Sequence, residues 1–165
     1  SDPGLFVSLE KTPLTESRDD HERLAGVIAR CVEIKRDVVS NDECERGLRQ
    51  TLNLGHTIGH AVESANEYRL GHGSSVAAGM CIMARACAKR GWCDRDAAHR
   101  IEAAVAAHGL PTSTDFDVDT LFRHAKADKK RHGDTMNIVA IEAIGSVSIK
   151  TLPLDDFRML IEQGL

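Results

Sequence analysis

Two histidines and a carboxylate recur at helical spacing in the run Leu52-Asn53-Leu54-Gly55-His56-Thr57-Ile58-Gly59-His60-Ala61-Val62-Glu63. On a helix, His56 and His60 stand at i and i+4 on one face, about 5–6 Å apart at Cβ, close enough to share a metal, a proton or a substrate. Glu63 follows three residues after His60. Gly55 and Gly59 repeat at the same interval although each costs a helix about 1 kcal/mol relative to Ala. Their presence implies close approach by another backbone or by a substrate.

A third imidazole, His72, lies between Gly71 and Gly73, after a run of turn residues from 66 to 73 that could fold it back over the helix. Zinc takes imidazole nitrogen at about 2.0–2.1 Å, and a catalytic zinc keeps three protein ligands and one open position, so the count fits a metal site. A bare His-x3-His is more often a hydrogen-bonded polar pair. His56 is followed by Thr57, not Glu, so the general base of a zinc protease is lacking.

The fold class these residues sit in is mainly α, a multi-helical domain with a small β-hairpin near the C-terminus. Asp2-Pro3 reads as an N-cap and first helical position, and Thr12-Pro13 as a stop. From 20 to 39 the apolar positions Leu24, Val27, Ile28, Cys31, Ile34 and Val38 step by three and four, which predicts a long helix packed along one side. Lys35 stands beside that stripe, either solvated near the helix C-terminus or facing a site. The charged segment carrying Glu45, Arg46 and Arg49 abuts the histidine run, which makes Glu45 and Arg49 candidates to face the same site.

Ser74 or Ser75 is expected to cap a helix through Val76, Met80, Met83 and Cys87, whose alanines and Gly79 imply tight helix packing and whose methionines suit a core. Asp94 and Asp117 are expected to cap two further helices. The basic run Lys129-Lys130-Arg131-His132 is a solvated turn or an anion site. Residues 137–141 and 147–149, flanking Ile144-Gly145-Ser146, predict the hairpin, and a last helix spans about 155–162 with Phe157, Leu160 and Ile161 inward.

The 165 residues suit one domain, 42% apolar and 28% charged, with a formal net charge of -4 and no long run of one sign. That balance argues against nucleic acid or an anionic membrane as partner. No apolar run reaches the length of a membrane span and the start lacks signal-peptide character, so a cytoplasmic setting is expected. Five cysteines with no Cys-x-x-Cys pair suit reduced thiols; Cys31, Cys81 and Cys87 fall on apolar stripes and are expected in the core. The lack of an initiator Met suggests a piece of a longer chain.

Residues 49–63, Arg49-Gln50-Thr51 and the run above, followed by His72-Gly73, Val76-Ala77-Ala78-Gly79-Met80 and Asp128-Lys129-Lys130, resemble the C-terminal half of the 3-dehydroquinate synthase family in order and spacing. The resemblance extends over nearly the whole chain. It implies a shikimate-pathway phosphate lyase that uses NAD and zinc (or cobalt) to convert 3-deoxy-D-arabino-heptulosonate 7-phosphate to 3-dehydroquinate and phosphate. Carried over position by position, it makes His56 and His72 metal ligands, His60 a catalytic group that moves protons or holds substrate, Glu45 a catalytic acid–base group, and Lys35, Arg49, Asn53, Lys129 and Lys130 substrate-binding residues.

The same resemblance implies that residues 1–165 are a single C-terminal metal- and substrate-binding domain. Its partner would be an N-terminal NAD-binding α/β domain outside this chain, and no G-x-G-x-x-G occurs here. The family's third zinc ligand, a glutamate on a preceding helix, maps to no residue of this chain, so the chain alone is expected to be inactive. Ser74 stands where the family usually carries glutamate, which implies a lost carboxylate near the metal. A homodimer is a further expected assembly. The rival functions are another sugar-phosphate cyclase, a metal-dependent alcohol dehydrogenase, or a non-catalytic helical scaffold in which the histidines are structural.

Overall fold

The computed structural model describes residues 1–16, 19–43, 47–128 and 133–165. Within them the chain is predominantly helical, with one two-stranded antiparallel sheet close to the C-terminus.

The first helix, α1 (Pro3–Lys11), begins as its sequence dictates: the Asp2 carboxylate accepts the Leu5 N–H at 2.8 Å and proline occupies the first turn. That bond, reinforced by the Arg30 guanidinium, holds the Asp2 carboxyl below its usual range. The long helix α2 (His21–Asn41) starts at Asp20, whose side chain accepts the Arg23 N–H. A 3-10 turn, Leu48–Asn53, follows and packs against α2.

Next come α3 (His56–Ala65) and α4 (His72–Lys89), the most closely packed helix pair. They are followed by α5 (Arg95–Ala107) and α6 (Val118–Asp128), the latter opened by Asp117 accepting the Thr120 N–H at 2.8 Å. Asp94 stands at the N-cap of α5 without a side-chain capping bond. The hairpin pairs β1 (Thr135–Ala143) with β2 (Ser146–Pro153) through a turn at Gly145, whose φ of 90° excludes most side chains. The last helix, α7 (Leu154–Gly164), buries Phe157, Leu160 and Ile161 completely, at about 1.5–3 kcal/mol each.

The core lies where α4 is enclosed by α3, α5, α7 and β1. Ile58 and Val62 from α3, Ile82 and Met83 from α4, Leu121 from α6, and Met136, Ile138 and Ile141 from β1 converge there. As expected of core methionines, Met83 is fully buried. Alanine and glycine are frequent on the buried side of α4, where four other elements press on it.

Three expectations are corrected. The stripe of α2 is not packed: of its positions only Val38 is buried, while Ile28 is 55% and Cys31 largely exposed, with Val32 at 61% beside them. Periodicity reports an apolar face, not what covers it: Leu24, Val27 and Ile34 are only half-buried, and the described elements leave Ile28, Cys31 and Val32 exposed. Secondly, α4 begins at His72, not after Ser74 or Ser75; Gly71 at φ 83° turns the chain into the helix, and Ser75 Oγ donates back to the Gly71 carbonyl. Thirdly, the run around the histidines is helical only from His56, since Gly55 at φ 77° separates α3 from the preceding 3-10 turn.

Two measurements check this packing. A Cβ at Gly79 would stand 2.5 Å from the Gly59 nitrogen, whereas one at Gly26 on α2 would meet nothing within 4 Å. Gly79→Ala is therefore expected to cost about 3 kcal/mol or more and to lower Tm by more than about 5 °C, with Gly26→Ala leaving Tm unchanged or slightly raised. Burial pushes the Cys81 and Cys87 thiols up to about 11, and Cys31 is exposed. A disulfide reagent at pH 8 should therefore label Cys31 rapidly and Cys81 and Cys87 only on unfolding, as mass mapping of timed samples would read.

Candidate metal centre

The site is built by two helix starts. His56 opens α3 directly after Gly55, His60 follows one turn later, and His72 opens α4 directly after Gly71. What brings α4 to α3 is the removal of side chains between them. A Cβ on Gly55 would stand 2.8 Å from the Met80 nitrogen, and one on Gly59 would stand 2.8 Å from Val76 Cα. The glycines beside the histidines are thus occupied by the α4 backbone, not left open to substrate. With the two helices in backbone contact, the first turn of α4 arrives over the first two turns of α3.

The three imidazoles form a compact triangle, with ring centroids 5.5 Å apart for His56 and His60, 5.3 Å for His56 and His72, and 5.6 Å for His60 and His72. One ring nitrogen from each lies within 4.8 Å of the others.

Two of the rings are held in a way that suits a cation. His56 Nδ1 is 3.2 Å from the Leu54 carbonyl oxygen, and His72 Nδ1 is 3.2 Å from Glu63 Oε2. An Nδ1–H donated to an oxygen leaves Nε2 as the lone-pair nitrogen, the form a metal requires. Burial pushes the His56 pKa down, and His60 and His72 nearby push it further, against the Leu54 bond and the Glu63 charge. His56 is accordingly a neutral imidazole at pH 7. Donor type and number, with His56 neutral, fit a divalent zinc or cobalt ion.

The remaining expected site residues are placed unevenly. Arg49 is half-buried, its backbone N–H donating to Asp42 Oδ2 at 3.0 Å and its guanidinium to the Glu43 carbonyl at 3.1 Å. Asp42 Oδ2 also accepts the Gly47 N–H at 2.8 Å, so one carboxylate shapes the approach from α2 to the 3-10 turn. Asn53 is exposed at the end of that turn, three residues before His56, and Lys35 is exposed on α2, which packs on the same turn. Glu45, Lys129 and Lys130 lie outside the described residues.

Sequence reasoning overlooked the pairing of Glu63 with His72. The signal was available in part: Glu63 stands three residues after His60 and seven after His56, on the histidine face of α3. Its partner depended on where α4 begins. A separate apolar cavity of about 410 Å³ opens between α1, α5 and the hairpin, lined by Phe6, Leu54, Met80, Ile101, Val105 and Ile144, and none of the three histidines borders it.

A family model described as 3-dehydroquinate synthase C-terminal matches residues 1–131. The chain is 37% identical over 158 residues to the 3-dehydroquinate synthase of Pseudoalteromonas atlantica, covering 94% of this chain and 44% of that protein. It is 38% identical over 151 residues to the 3-dehydroquinate synthase of Shewanella loihica, covering 90% and 42% respectively. The chain thus spans less than half the length of the curated relatives it matches. Among solved structures, 2-epi-5-epi-valiolone synthase from Streptomyces hygroscopicus subsp. jinggangensis, with NAD+ and Zn2+ bound, superposes with a TM-score of 0.82 at 23% identity, covering 97% of this chain and 44% of that one. A 2-deoxy-scyllo-inosose synthase complexed with carbaglucose-6-phosphate, NAD+ and Co2+ gives a TM-score of 0.73 at 23% identity over 87% and 43% of the two chains; these likenesses concern the fold. The family match over residues 1–131, together with identities above one third across nine-tenths of the chain, places it in the 3-dehydroquinate synthase C-terminal family.

Proposed function

We propose that this chain is the metal- and substrate-binding part of a 3-dehydroquinate synthase, the lyase that converts 3-deoxy-D-arabino-heptulosonate 7-phosphate to 3-dehydroquinate and phosphate. The observation that carries the proposal is the convergence of three imidazoles from two helix starts, within a chain of this family.

In this reading His56 and His72 hold zinc or cobalt through Nε2, with a third ligand supplied by the rest of the longer protein. A divalent cation there acts as a Lewis acid on the substrate's hydroxyls. His60, beside both ligands, takes and returns protons at the reacting carbons, a task that suits an imidazole at neutral pH. Glu45 is its acid–base counterpart. Arg49, with Lys35, Asn53, Lys129 and Lys130, binds the carboxylate and phosphate of the substrate; a guanidinium can do so with two parallel bonds.

The redox step requires NAD, to which none of these residues is assigned. We place that cofactor, and the second wall of the cleft, on an α/β domain that docks here. The open apolar face of α2, with Ile28 and Val32, suits such a partner or a second copy of the chain. Among the described residues no helix is long and apolar enough to cross a membrane. A different sugar-phosphate cyclase would use the same metal logic, and a panel of phosphorylated substrates separates the two.

The test is to join the 165 residues to the N-terminal part of the Shewanella loihica relative and to assay phosphate release with zinc and NAD. Phosphate is expected from 3-deoxy-D-arabino-heptulosonate 7-phosphate. His60→Ala should lower kcat by about 10²–10⁴-fold, and His56→Ala or His72→Ala should abolish turnover. The 165-residue chain alone should release none. Turnover by the chain alone at an ordinary enzyme rate, or a His60→Ala hybrid as fast as its parent, would overturn the reading.

A further inference from the structure

The contact between Glu63 and His72 joins two residues of opposite character. The Glu63 side chain is 16% exposed and the His72 side chain 54% exposed, with 3.2 Å between Oε2 and Nδ1. The carboxylate is therefore the fixed member, seated on α3 against the core. The imidazole projects from the first residue of α4, where solvent on its outer side would otherwise leave both side-chain torsions free to turn.

We infer that Glu63 is a positioning residue for metal binding: its carboxylate holds His72 in the Nδ1–H form with Nε2 turned toward His56 and His60. The inference rests on the metal reading above and adds a residue to it. Three observations support it beyond the single distance. His56 is held in the same manner, with its Nδ1 against the Leu54 carbonyl, so the two rings present equivalent nitrogens by parallel devices. Glu63 shares the histidine face of α3, so its charge lies beside the space the three rings enclose. Ser74, half-buried in the first turn of α4, brings no carboxylate, and Glu63 supplies one from the facing helix.

The bond has a direct chemical consequence. A carboxylate accepting from Nδ1–H raises the basicity of the distal nitrogen and fixes the plane of the ring, which is how carboxylate–histidine pairs strengthen metal sites. Glu63 acts through His72 and not as a ligand, because its oxygen is engaged at Nδ1, on the side of the ring away from Nε2.

The experiment compares the 165-residue chain with Glu63→Gln and Glu63→Leu by two readings. Side-chain 1H–15N spectra of the metal-free chains report the His72 tautomer, with a His72→Gln chain identifying its signals. Cobalt titration followed by visible absorption reports metal affinity. The unsubstituted chain is expected to show the Nδ1–H tautomer. Glu63→Leu should lose that tautomer and weaken cobalt binding about 10–100-fold. Glu63→Gln, which keeps an oxygen acceptor without the charge, should fall between, with thermal melts of all three alike. An unchanged His72 tautomer in Glu63→Leu overturns the positioning role, and an unchanged cobalt affinity overturns its bearing on the metal. Should the unsubstituted chain bind no cobalt, the metal reading itself fails, while the tautomer reading still decides whether Glu63 sets the ring.

Discussion

Backbone contact between α3 and α4 is the constraint on which the rest depends. Gly55 just before α3, Gly59 within it and Gly79 on α4 remove the atoms that would hold the two axes apart, and a Cβ on each would stand within 3 Å of the opposing segment. Gly59 and Gly79 cost helix propensity. What they obtain is a separation at which the first turn of α4 reaches the face of α3 that carries His56 and His60. The same approach drives Ile58 and Val62 into the core beside Ile82 and Met83, so the stability of the domain and the geometry of the histidine triangle share one cause.

The electrostatics of the site follow from this placement. Helix starts present unpaired backbone N–H groups and imidazoles placed there meet no favourable negative charge from the helix; desolvation at His56 acts in the same direction. Both effects keep His56 neutral, against the Leu54 carbonyl at its Nδ1 and the nearby Glu63 charge. A carbonyl accepting from Nδ1–H leaves Nε2 with the lone pair that a cation needs. The floor of the site is α3, one side is the start of α4, and among the described residues Lys35 on α2 and Asn53 at the end of the 3-10 turn are exposed.

Much of this was legible in the residues. Caps at Asp2 and Asp117, the hairpin about Gly145 and the inward side of α7 are local features that a few neighbouring side chains decide. The histidine run, its glycines and His72 identified the family, and the three rings do come together in a cluster able to hold a metal ion. Three features were not legible, for a common reason. The start of α4 at His72, the capture of His72 by Glu63 and the exposure of the α2 stripe each depend on what lies opposite in space. Ser74 and Ser75 are good caps in isolation, yet Gly71 turns the chain earlier because α4 must meet α3 along its whole first turn. The α2 stripe has the period of a packed helix, and only tertiary structure could reveal that Cys31, Ile28 and Val32 face outward here.

The central claim is that His56 and His72 bind one divalent metal between the starts of α3 and α4. Crystals of the chain grown with zinc and measured at wavelengths on either side of the zinc absorption edge test it most directly. The account predicts one anomalous peak per chain, about 2.0–2.1 Å from Nε2 of His56 and of His72, with the Glu63 carboxylate still on His72 Nδ1. A peak elsewhere, or none between these rings in zinc-saturated crystals, would contradict it.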